Sequence, residues 1–121
     1  MVVGAGQVEL HVHGAHSLKE KRGVVRSIVR RVRNRWNAAV VEIGGQDTWQ
    51  RVVLGVAVVA PDGGAAGATL ERIVEFICDL HLAEVTGQEI EILSTGEEPS
   101  LGLRDEELED LEQAGPAGED A

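Results

Sequence analysis

Eight basic side chains fall within "HSLKEKRGVVRSIVRRVRNRW" (16–36), in a chain of 121 residues whose formal charge is −10. Five of them, Lys19, Arg22, Arg26, Arg30 and Arg33, follow one another at spacings of 3, 4, 4 and 3. At 100° per residue they share an arc of about 80° on a helix. Lys21, Arg31 and Arg35 fall elsewhere on the circumference. Like charges one turn apart repel by a few tenths of a kcal/mol per pair, so helix formation does not ask for this row. Arginine grips phosphate or carboxylate through a planar pair of donors. The row therefore predicts contact with a polyanion, phosphate first. The plainer account is a solvated face that happens to be rich in arginine.

Other chemistry-bearing residues combine less well. His11, His13 and His16 in "HVHGAH" include a His-x-His pair, but no cysteine or clear carboxylate completes a metal set. They are read as two exposed strand histidines and a loop histidine, with no metal site. Cys78 in "EFICDL" has no base or cation beside it to lower its pKa, and is expected to be a partly packed helix residue. Gly63–Gly67 is expected to be a loose Gly/Ala loop, unlike a phosphate-binding loop. Trp49 in "QDTWQR" either anchors the hairpin into the core or forms part of an interaction surface with Asp47 and Arg51. No catalytic constellation emerges, so a non-enzymatic protein without cofactor is expected. Sheet-based nucleic-acid readers stack bases on Phe or Tyr. This chain has no Tyr and a single Phe, in the second helix, so nucleic-acid binding would rest on helix and loops and read backbone and shape.

The elements that must carry these residues are legible from periodicity. "QVELHVH" alternates, the signature of a half-buried strand. Ser17 stands three residues before Glu20, the spacing of a capping box, and Leu18, Val25, Ile28, Val29, Val32 and Trp36 recur at helical spacing, predicting a helix over 17–35. "AAVVEIGG" and "WQRVVLGVAVVA" read as strands joined through "GGQDTW". "PDGGAAGA" reads as a break, and "TLERIVEFICDLHL" as a second helix with Thr69 as its N-cap. "QEIEIL" alternates as a fourth strand. The order β-α-β-β-α-β predicts an α+β, ferredoxin-like domain: a four-stranded antiparallel sheet with two helices on one face. On its open face Val53, Gly55, Ala57 and Val59 would form a small apolar set, suited to homodimerisation or a partner protein.

Charge divides the chain. Residues 1–51 carry nine Lys/Arg against four acids, a net +5; 52–95 carry −6; 96–121 carry one Arg against ten acids, −9. A domain over 1–95 and an acidic, largely disordered tail over 96–121 are expected, with a short helix around Leu103–Gln113 as the one exception. Such a tail could dock "LRDEELEDLE" on the arginine row or touch nothing. A single cysteine argues for a reducing compartment. Absence of a leader pattern or of a run of about 20 apolar residues points to a cytoplasmic protein with no membrane contact.

"HSLKEKR", "RNRWN", "EIGGQDTWQR" and "LGVAVV" stand here in the order seen in the YlxP-like family of small bacterial proteins, a domain of unknown function, which residues 1–95 resemble. The matching positions are His16–Arg22, then Gln46, Asp47, Trp49, Gln50 and Arg51. The resemblance implies a ferredoxin-like fold. Genes of the family neighbour those of a translation initiation factor and a ribosome-binding factor, which implies a role in ribosome maturation or translation, with ribosomal RNA or a ribosomal subunit as partner. It brings no catalytic residues. The alternative reading is a homodimeric adaptor that uses the open sheet face.

Overall fold

The structure, a computed structural model, describes residues 1–45, 48 and 50–95. Six elements follow in the order β1 (Val2–His11), α1 (Leu18–Arg35), β2 (Ala39–Gly44), β3 (Arg51–Ala60), α2 (Gly63–Leu80) and β4 (Glu84–Ser94). The strands form one antiparallel sheet in the order β2-β3-β1-β4. This is the ferredoxin-like α+β plan.

Alternation decides which face is covered. Val8 and Leu10 of β1, and Val52, Leu54, Val56 and Val58 of β3, point towards the helices and are buried. Val25, Ile28 and Val32 of α1, and Ala66, Leu70, Ile73, Val74 and Ile77 of α2, meet them in one aliphatic core. Each fully buried Leu, Ile or Val contributes about 1.5–3 kcal/mol relative to exposure. The opposite set, including Val3, Ala5, Val53, Gly55, Ala57 and Val59, lies on the open face.

Two expectations are corrected. "PDGGAAGA" does end β3, at Ala60, but Gly63–Gly67 is no loose loop: Asp62 caps α2, its Oδ1 accepting from the Ala65 amide at 2.8 Å, and the helix begins at Gly63. Thr69 is therefore mid-helix. Glycine opposes helix formation by about 1 kcal/mol per residue, but here small residues let α2 press onto β1. A Cβ on Gly4 would stand 2.9 Å from Leu70 Cδ1 and 3.2 Å from Ala66 Cβ. Pairing with β3 and β4 on both sides extends β1 back to Val2, upstream of the alternating "QVELHVH". Conversely β1 ends at His11, so His13 lies beyond the strand.

Candidate nucleic-acid interface

The basic helix starts as its sequence demands. Ser17 Oγ accepts from the Glu20 amide at 3.1 Å, and Glu20 Oε2 accepts from the His16 amide at 2.8 Å. This reciprocal cap satisfies donors that the first turn leaves free. At the other end, Arg33 and Arg35 stand in the last turn, where positive charge complements the helix dipole.

Lys21, which lies off the basic row and has no role in the sequence reading, holds the next piece in place. It is 1% exposed. Its Nζ donates to the carbonyls of Gly45 (2.7 Å), Thr48 (2.8 Å) and, more weakly, Arg51 (3.4 Å), and lies 3.3 Å from Glu42 Oε2. One ammonium thus ties α1 to the β2–β3 connection through charge-assisted bonds. Gly45 accepts this geometry at φ +80°, and a Cβ there would stand 2.4 Å from the Arg51 carbonyl oxygen. The signal is present in the spacing: on the helical projection Lys21 falls inside the apolar arc, between Val25 and Ile28.

The predicted row is on the surface. Lys19, Arg22, Arg26, Arg30 and Arg33 are all exposed. None of the five forms an ion pair with a described carboxylate. Arg33 is partly committed, since its Nη2 donates to the Val40 carbonyl of edge strand β2 at 2.6 Å. The row runs beside that edge. Between the two lies a groove of about 480 Å3 with Val25, Val29, Val40 and Val41 as apolar lining and Arg26, Arg30 and Arg33 as cationic lining.

The remaining candidates separate from this surface. Asp47 and Trp49 lie outside the described residues, as do the tail at 96–121 and the helix expected in it. Arg51 sits on the open face of β3 and is engaged, its Nε donating to Glu9 Oε2 at 2.8 Å. That bond, reinforced by the Thr86 hydroxyl, holds the Glu9 carboxyl below its usual value. Ala57 lies on the open face opposite Ala5 and Ala39. Val41, Ile43, Val59 and Leu93 are large, exposed and on that same face.

The His11 and His13 rings lie 4.2 Å apart, and His13 Nε2 stands 2.7 Å from Glu84 Oε1. No cluster of three metal-binding side chains forms among the described residues. Cys78 is exposed, not partly packed. Trp36 and Phe76 meet edge-on at 5.1 Å with Arg35 over both rings, at 5.3 and 5.2 Å. That cluster sits where the helices meet, packed against the edge of the core.

A ferredoxin-like α+β domain with a cationic helix along its sheet edge is the class these features define. The sequence profile of the proteins of unknown function DUF503 matches residues 3–90, and the chain belongs to that family. It is 41% identical over 76 residues to the uncharacterized protein YlxP of Bacillus subtilis (strain 168), covering 63% of this chain and 83% of that protein. Among solved structures it is similar to a de novo designed protein with a ferredoxin fold (TM-score 0.48, 20% identity, 87% of this chain and 97% of the other). It is also similar to a mutant of SnoaB, a cofactor-independent oxygenase from Streptomyces nogalater (TM-score 0.43, 14% identity, 82% and 97%). Likeness at this level carries no functional argument. No described helix is long and apolar enough to cross a membrane.

Proposed function

We propose that this protein is a small, non-enzymatic, cytoplasmic RNA- or ribosome-associated protein that contacts phosphate through α1, in ribosome maturation or translation. One observation carries the reading: five exposed cations lie in a single row and none is ion-paired to a described carboxylate. Successive cations along the row are about one turn, some 5 Å, apart, a spacing suited to successive backbone phosphates. No Phe, Tyr or Trp stands on the described strands, which favours backbone contact over base stacking. The gene neighbourhood that the family resemblance implies supports the ribosome as the source of the RNA.

Co-sedimentation with ribosomal subunits across a salt series tests it. Arg26→Gln and Arg30→Gln remove charges with no described partner. Together they are expected to weaken binding at low salt and to lower the slope of log K against log salt by about one for each lost phosphate contact. Unchanged affinity and slope would overturn the assignment.

A second reading rests on a different surface. Val41, Ile43, Val59 and Leu93 expose large apolar side chains on the open face, around small residues at Ala5, Gly55 and Ala57. Burial against a second copy would remove this patch from water.

A further inference from the structure

The groove between α1 and β2 is better matched to a peptide than to a nucleic-acid backbone. Phosphates use its arginines and leave Val29 idle. Arg26, Arg30 and Arg33 stand beside Val25, Val29, Val40 and Val41. Val25 and Val40 are buried beneath the groove, Val41 borders it from the edge of β2 with its side chain on the open face, and half-buried Val29 is the apolar side chain left accessible to an occupant. The complementary chemistry is a segment that carries leucines among carboxylates.

This chain contains one. "LRDEELEDLE" (103–112) sets Leu108 and Leu111 three residues apart among six acids. We propose that this segment of the same chain occupies the α1–β2 groove, with a leucine against Val29 and carboxylates on Arg26, Arg30 and Arg33. RNA and the tail then compete for the row, so weak polyanions are excluded and only ligands that displace a tethered competitor bind.

The attachment point permits it. The last described residue, Thr95, is held to the Met1 carbonyl through its amide (3.3 Å) and its hydroxyl (2.9 Å). Ser94 pairs with Val2, and β2 begins opposite Ala57, only three residues in from the Val2–Ala60 pair. The tail therefore leaves from the end of the sheet nearest the Arg33–Val40 contact. Three strand spacings and about four residues along the sheet make a path of about 20 Å. The 13 residues from Thr95 to Leu108 span about 40 Å when extended. A tether of this length gives an effective concentration of about millimolar.

The test keeps the full chain. Cys78→Ser with Gln113→Cys provides one nitroxide attachment point without altering tail charge. Amides of 26–34 and 40–41 are expected to broaden at least about twofold more than those of α2 at low salt, because the tether concentrates the label there. Adding Leu108→Ser and Leu111→Ser, which keep every charge, is expected to abolish that preference. Uniform broadening, broadening elsewhere, broadening indifferent to the two serines, or broadening seen only from a labelled copy onto an unlabelled one would each overturn the proposal. Run in the Leu108→Ser, Leu111→Ser background, where the tail contact is removed, the Arg26 and Arg30 binding assay does not depend on these outcomes, so the tail contact and the RNA reading can fail separately.

Discussion

Lys21 shows how strongly a single position can depend on its partners. A lysine ammonium at 1% exposure is tolerated because three carbonyls and the Glu42 carboxylate surround it. Lys21→Met keeps the length and removes the donor, leaving those carbonyls and a partly buried carboxylate without it. Breaking one side of such a pair costs about 3–5 kcal/mol, and urea unfolding should show a loss of that order. Lys19→Met, two residues away and exposed, should stay within about 0.5 kcal/mol. If the two variants unfold alike, the buried contacts contribute little. The motif "HSLKEKR" is thus mainly structural in this chain. Ser17 and Glu20 cap the helix and Lys21 anchors a loop, leaving Lys19 and Arg22 facing solvent.

Among the elements, α2 sets local preference against packing. Its first turns hold Gly63, Gly64 and Gly67, which disfavour a helix. Gly4 and Ala66 explain why small residues are used where helix and sheet touch. Gly67 has no such reason: a Cβ there would meet nothing within 4 Å. Gly67→Ala is therefore expected to stabilise the protein by up to about 1 kcal/mol, read as a higher urea midpoint at unchanged slope. A destabilised variant would mean that this turn needs the freedom of glycine. Helix α1 has the reverse balance, since its cap, apolar stripe and last-turn cations all agree with the fold. That agreement is why its limits match the expected 17–35 almost to the residue.

For the whole molecule, the two proposed interfaces are expected to respond oppositely to salt. Phosphate contact at α1 would weaken as salt rises, whereas apolar association through the open face would persist or strengthen. Ala57 sits at the centre of that face, between Ala5 and Ala39. If the face self-associates, Ala57→Glu places like charges together across a two-fold and should convert a dimer to a monomer in sedimentation velocity. An unmodified protein that is monomeric at high micromolar concentration would remove the dimer reading and leave the helix as the principal interface.

Periodicity by itself determined the element order, the capping box, the aliphatic core and the exposure of Lys19, Arg22, Arg26, Arg30 and Arg33. These depend on repeats of two or 3.6 residues and on neighbours within one turn, which a sequence displays directly. It also located the apolar run on the open face, because strand alternation assigns faces without knowledge of the partner strand. Four features depended on contacts distant in sequence. Lys21 finds its carbonyls 24 to 30 residues away. Arg51 is neutralised by Glu9 across the sheet. Within Gly63–Gly67, Ala66 is buried beside Gly4 of β1, a contact that favours helix over loop there. The arginine row gains a valine-lined groove because β2 packs alongside α1. In each case the deciding energy comes from burial or pairing between segments that only the folded chain brings together, and local propensity does not contain it.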